Sequence, residues 1–183
     1  MASSGSLEKM KIASFTDDKF SKKSKDEEAH EFSVLINPAS YSHSLEILYN
    51  DKHTPGSGHS SPDYNRVSAD FVKFELVFDG TGVIPDAVQE ISGDGITKQL
   101  DKFRKVLFDY ESEVHSPKYL ILNWATLYFR CRLSSLDFNY TLFKPDGTPL
   151  RARANVTFIA FSTEKELNNN AAKTSSDRSH LVR

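Results

Sequence analysis

The chain has 183 residues, 38% of them hydrophobic and 26% charged, with a formal net charge of −2. That is enough apolar material for one core, and the near-neutral balance exerts no global pull toward nucleic acid or an anionic membrane. A single cysteine, Cys131, excludes an intrachain disulfide and a multi-cysteine metal site; its place on an apolar strand face predicts a buried, inert thiol.

Residues 1–6 are expected to be disordered, and the first residues show no apolar run of the secretory kind. No stretch approaches the roughly 20 apolar residues of a membrane span, so no direct membrane insertion is expected. Met10, Ile12 and their polar neighbours predict a short strand ending near Phe15. The charged run at 16–30 reads as a solvated loop. Phe32, Val34 and Ile36 share a strand face, and Asn37-Pro38 ends that strand because proline lacks a donor. Leu45, Ile47 and Tyr49 alternate again. Residues 51–66, rich in Gly, Ser, Pro and His, read as a long mobile loop.

Val72, Phe74, Leu76 and Phe78 define the next strand, stopped by Asp79-Gly80-Thr81-Gly82. From Ile96 the period changes. Ile96, Leu100, Phe103, Leu107 and Tyr110 form one helical stripe, the only clear helix. The rest is β: Leu120, Leu122 and Trp124 on one strand, then Phe129, Cys131 and Leu133 at odd positions and Leu136, Phe138, Tyr140 and Leu142 at even ones. That parity flip predicts a β-bulge at Ser134-Ser135. Pro145-Asp146-Gly147 turns the chain into a last strand over about 149–161, whose inner face is Leu150, Ala152, Ala154, Val156 and Phe158. Arg151, Arg153 and Asn155 occupy its other face. A polar tail fills 162–183. Six or seven strands and one helix predict a mainly β (β+α) fold, a small barrel or two-sheet sandwich with the amphipathic helix packed on it. Within it, Trp124 and Phe103 are expected to join sheet to helix.

No catalytic constellation emerges, so no enzyme is expected. His53 and His59 with Asp51 and Asp63 make a poor metal set, and Asp79 to Gly82 lacks the Lys-Ser/Thr of a phosphate loop. No cofactor and no metal are expected. Arg130, Arg132, Arg151 and Arg153 beside Tyr128 could form a basic sheet face for single-stranded nucleic acid, but Asp137 and Glu75 dilute it and no nucleic-acid partner is expected. Cross-strand ion pairing is the plainer reading. What remains is assembly, in which outward arginines serve subunit contacts.

The motif order supports this. Asn-Pro-x-x-Tyr (Asn37 to Tyr41), Phe-Asp-Gly-Thr-Gly, Leu-x-Trp-x-x-Leu-x-Phe (Leu122 to Phe129) and Tyr-Thr-Leu-Phe-x-Pro-Asp-Gly-x-Pro-Leu-Arg-Ala resemble, over residues 7–161, the tube-type baseplate adaptor of extracellular contractile injection systems. These are the phage-tail-like particles of the antifeeding-prophage and Photorhabdus virulence cassette kind. The resemblance implies a phage tail-tube-like β-barrel or pair of sheets with a flanking helix. It implies a homo-oligomer, a hexameric ring, joining the spike hub to the inner tube and to tube-initiator proteins. The ring would start tube assembly and match symmetries, as part of a particle assembled in the cytoplasm. Family members often continue into a LysM domain. None is expected within 162–183, and so no LysM-based contact to a baseplate wedge, the family's further partner. The residues implied to face a neighbouring subunit or the ring's lumen are Arg151, Arg153 and Asn155. Lys144 and Asp146 at the hairpin tip, together with residues 51–66, are implied to protrude axially.

Overall fold

The computed structural model describes residues 8–24, 26–52, 61–84, 96–108 and 117–162, with backbone alone for 50–52 and 61–67. The expectations for 1–6, for 53–60, for Tyr110 and for 163–183 lie outside them. The described residues form seven strands: β1 (Lys11–Phe15), β2 (Glu31–Ser33), β3 (Tyr41–Lys52), β4 (Ser61–Asp79), β5 (Tyr119–Trp124), β6 (Leu127–Phe143) and β7 (Pro149–Ala160). Among the described residues the one α-helix, α1 (Thr97–Leu107), lies between β4 and β5, and a single 3-10 turn spans Glu27–Ala29. All strand pairs are antiparallel, in the order β2-β1-β5-β6-β7-β4-β3. This is a single sheet, so of the two expected architectures the two-sheet sandwich is not the one adopted. The sheet curls like an unclosed barrel. Edge strand β3 reaches across its concave side, bringing the Tyr41 ring to 6.4 Å from Trp124 of β5 and the His43 ring to 5.6 Å from Phe129 of β6.

The core fills that concave side. Val72, Phe74, Leu76 and Phe78 of β4 face Ala152, Ala154, Val156 and Phe158 of β7, and all eight are buried. The α1 stripe of Leu100, Phe103, Val106 and Leu107 is buried against the sheet, with Ile96 just ahead of it. The expected pairing of Trp124 with Phe103 is not the contact the rings make. Phe103 meets Phe32 at 4.9 Å, Phe78 at 5.1 Å and Phe138 at 6.3 Å, whereas Trp124 lies at the far end of β5, beside the tight turn at Ala125, and packs on Tyr41. Lys118 donates to the carbonyl of Lys105 at 2.7 Å, placing a cation at the helix C-terminus where the peptide dipoles favour it.

The parity flip in β6 is a bulge. Leu133 pairs with Phe158 and Ser135 with Thr157, leaving Ser134 as the extra residue. A second shift was not foreseen. Tyr140 pairs with Ala152 but Leu142 with Arg151, so Thr141 is also extra. Leu142, expected beside Tyr140 on the core face, therefore shares the face of Arg151 and is exposed.

Two loops are also more built than their composition suggests. In 16–30, Asp17 gathers the Ser21 amide, the Ser21 hydroxyl and the Lys22 amide at 2.6–2.9 Å. Phe20 then packs edge-on against Phe15, Tyr119 and Phe161. Strand pairing also enters the expected mobile loop of 51–66: Asp51 pairs with Pro62 and Lys52 with Ser61. The strand expected through Ile36 stops at Ser33 instead. There the Asn37 side chain takes over, accepting from the Met10 amide at 3.0 Å and donating to the Glu8 carbonyl at 2.8 Å.

Candidate assembly surfaces

The polar face of β7 lies between β4, which carries Asp79 and Glu75, and β6. Arg151 sits opposite Asp79 on β4, and Arg153 reaches diagonally to Glu75, which pairs in register with Asn155. Both Nε and a terminal nitrogen of Arg151 lie 2.6 Å from Asp79 Oδ2. The other carboxylate oxygen of Asp79 accepts from the Thr81 amide at 2.9 Å and from the Thr81 hydroxyl. Burial pushes the Asp79 carboxyl up, but the Thr81 donors and the Arg151 guanidinium outweigh it and hold it below the usual carboxylate range. Arg153 meets Glu75 at 3.1 Å with both side chains about half exposed. The sequence placed these arginines on one outward face, and the structure does so too. It adds their acidic partners within the chain. The signal available for Asp79 was its position at the end of the β4 alternation.

The other two arginines weighed for nucleic acid are engaged in aromatic packing. The Arg132 guanidinium lies 4.9 Å from the Tyr119 ring centre and donates to the Pro117 carbonyl, and Arg130 lies 5.4 Å from that of Phe20. They help hold the 16–24 loop onto the convex face of the sheet.

At the hairpin tip, the Gly147 amide donates to the Lys144 carbonyl and the Lys144 amide to the Thr148 carbonyl. Gly147 takes φ +88°, the left-handed position of a three-residue hairpin loop. Asp146 accepts from the Thr148 amide at 2.9 Å, and this hydrogen bond holds its carboxyl below the usual range. Lys144 and Asp146 thus occupy a well-defined turn at one end of the sheet.

At the opposite end is an arm. β4 pairs with β7 only from Phe71 to Asp79; among the described residues its earlier half pairs with β3 alone. Two register shifts, between Leu45 and Ile47 and between Leu48 and Tyr49, accompany this two-stranded ribbon. His43 Nε2 lies 2.9 Å from Asp70 Oδ1 at its base. On β3, Tyr41 and His43 touch Trp124 and Phe129 across the concave side while remaining about half exposed, and Leu45, Ile47 and Tyr49 continue the same face past those contacts. There they are 59%, 42% and 56% exposed. The sequence shows their alternation; it does not show that the core ends before they do.

A curled β-sheet with a protruding arm and an apolar stripe that outruns its own core is the make-up of a structural subunit that completes its surfaces by contact. The chain matches the family model for contractile injection system tube proteins over residues 6–169, and it belongs to that family. It is thereby a structural component of a contractile injection system, a multi-subunit assembly, and the family is not one of enzymes. No curated protein matches the chain. No helix among the described residues is long and apolar enough to cross a membrane.

Proposed function

We propose that this chain forms the inner baseplate adaptor ring of a contractile injection system. Six copies join the spike hub to the inner tube and start tube assembly. The ring is assembled in the cytoplasm and becomes part of the particle. The observation that carries this reading is the β3–β4 arm. A two-stranded ribbon is marginal in water by itself, and here it holds Leu45, Ile47 and Tyr49 on an uncovered face. A ring of copies supplies the missing cover and also protects the free edge of β3. The adaptor role itself rests on the motif order from Asn37 to Ala152, which resembles the adaptor type. In this reading Arg153 and Asn155 line the lumen or meet a neighbour, and Lys144 and Asp146 at the hairpin tip meet an axial neighbour.

A second reading, an inner-tube or tube-initiator subunit, has the family's description as tube proteins in its favour. Electron microscopy of the intact particle separates the two. One layer of this chain between spike and tube supports the adaptor, and layers repeated along the shaft support the tube subunit. A stable monomer that binds oligonucleotide at physiological salt overturns both.

A further inference from the structure

We propose that residues 16–24 act as a preassembled stud, pressed onto the sheet through the ring of Phe20, and that seating or unseating the stud sets how firmly the chain is held where it leaves β7. Among the described residues, the hydrogen bonds of this loop run mostly within it. The Thr16 amide donates to the Lys22 carbonyl at 2.8 Å and closes the base, and the Phe20 amide donates to the Asp17 carbonyl at 3.2 Å. The Asp17 carboxylate gathers the donors of Ser21 and Lys22. A further tie, from the Ser24 carbonyl to His30 Nε2 at 2.7 Å, lies at the loop's far end. Phe20 sits at the crown with φ +55°, the left-handed region that a bulky side chain rarely adopts. Such a conformation persists where its surroundings over-determine it, and here the Asp17 hydrogen bonds do so. The result is a ring presented to the sheet by a loop that is fastened to itself.

The ring lands on the residues that hold the end of the last strand. Phe20 packs edge-on against Phe15 at 5.7 Å and against Tyr119 and Phe161 at 6.0 Å each. Tyr119 in turn meets Phe161 at 4.8 Å. Beyond the final register pair of β6 and β7, Cys131 with Ala160, the Phe161 amide still donates to the Arg130 carbonyl at 3.0 Å. The guanidinium of that same Arg130 lies 5.4 Å from the centre of the Phe20 ring. Phe161 is only partly buried, and from it the chain passes to Ser162 and the residues that follow. One ring thus covers the aromatic pair and the arginine that fix the exit. Because the loop is tied within itself, it can lift as a unit and lose the contacts of Phe20 while keeping its own hydrogen bonds. That is a local opening well below the cost of unfolding the sheet. With the stud lifted, the Phe161–Arg130 hydrogen bond is the tie that frays first.

The test is limited digestion of the full-length chain with chymotrypsin, following by mass the fragment that ends at Phe161, together with hydrogen exchange. Phe20→Ala is expected to release that fragment at least about tenfold faster than the parent. Phe20→Leu keeps an apolar plug and is expected to fall between the two, which preserves the test if the alanine variant does not fold. Exchange across β5 is expected to stay at the parent's rate, and so is exchange within residues 16–24, since the undocked loop remains fastened. Cleavage of Phe20→Ala at the parent's rate overturns the inference. So does faster exchange across β5 in step with the cleavage, because Phe20 is then part of the global fold rather than a local stud. Loss of protection within residues 16–24 overturns it as well, because the loop then melts instead of lifting. Asp17→Ala keeps the ring and removes its fastening, so it is expected to speed the same cleavage. An unchanged rate in that variant shows that the loop's own hydrogen bonds do not present the ring, and also overturns the inference.

Discussion

Arg151 holds Asp79 across the β4–β7 ladder, two guanidinium nitrogens converging at 2.6 Å on one oxygen of a carboxylate whose side chain is 4% exposed. A sequence separation of 72 places this pair among the long-range contacts that close the fold. It also separates two arginines that look alike in sequence. Arg151→Met is expected to lower unfolding stability by about 2 kcal/mol. Breaking a buried pair costs roughly 3–5 kcal/mol, discounted here because Arg151 is itself 45% exposed. Urea denaturation measures it.

The same pair has a pH signature. The Asp79 carboxyl is depressed in the folded chain below its ordinary value of 3.8. Its contribution is therefore fully present above that value and is lost as the pH falls through the lower, folded one. Asp79→Asn is expected to flatten the acid limb of the stability curve in that window and leave its shape near neutrality unchanged. An acid limb identical to the parent's would show that other carboxylates govern it.

Arg153 behaves differently. Its pair with Glu75 is half exposed, so Arg153→Glu should change stability by no more than about 1 kcal/mol. If the polar face of β7 meets a neighbour, the folded variant fails to assemble. Particle yield and monomer melting are the two readouts, and normal yield removes Arg153 from the assembly surface.

Phe103 and Trp124 are expected to rank in the order of their surroundings. Phe103 is fully buried among three other rings, and Phe103→Ala should cost about 3–5 kcal/mol. Trp124 is only partly buried at the sheet's end, and Trp124→Ala should cost clearly less. Thermal melting of the two variants side by side checks the ranking.

Ser134 matters as a backbone unit rather than a side chain. Ser134→Ala should alter stability by less than about 0.5 kcal/mol, since the residue is exposed. Deleting Ser134 removes the bulge, and the register then turns Leu136 and Phe138 to the wrong face. The deletion is expected to leave the chain insoluble or without a cooperative melt.

What the sequence determined by itself was the local structure. Two-residue alternation marked β4, β5, β6 and β7; the 4-3-4-3 spacing from Ile96 marked α1; and Pro145-Asp146-Gly147 marked the turn. The switch between Leu133 and Leu136 marked the bulge. Each is a consequence of backbone geometry within a few residues, so it is written in the order of side chains. The Thr141 bulge left no such mark, because Leu142 is apolar whichever face it takes. Only the tertiary structure decided that the strands form one curled sheet, that Arg151 finds Asp79, and that Phe103 packs among phenylalanines rather than against Trp124. Those outcomes depend on which distant strands pair and in what register. It also decided that Leu45, Ile47 and Tyr49 lie beyond the core: apolar alternation is the same for a strand covered by its own chain and for one awaiting another, and only the end of the β4–β7 ladder at Phe71 and Ile159 tells them apart.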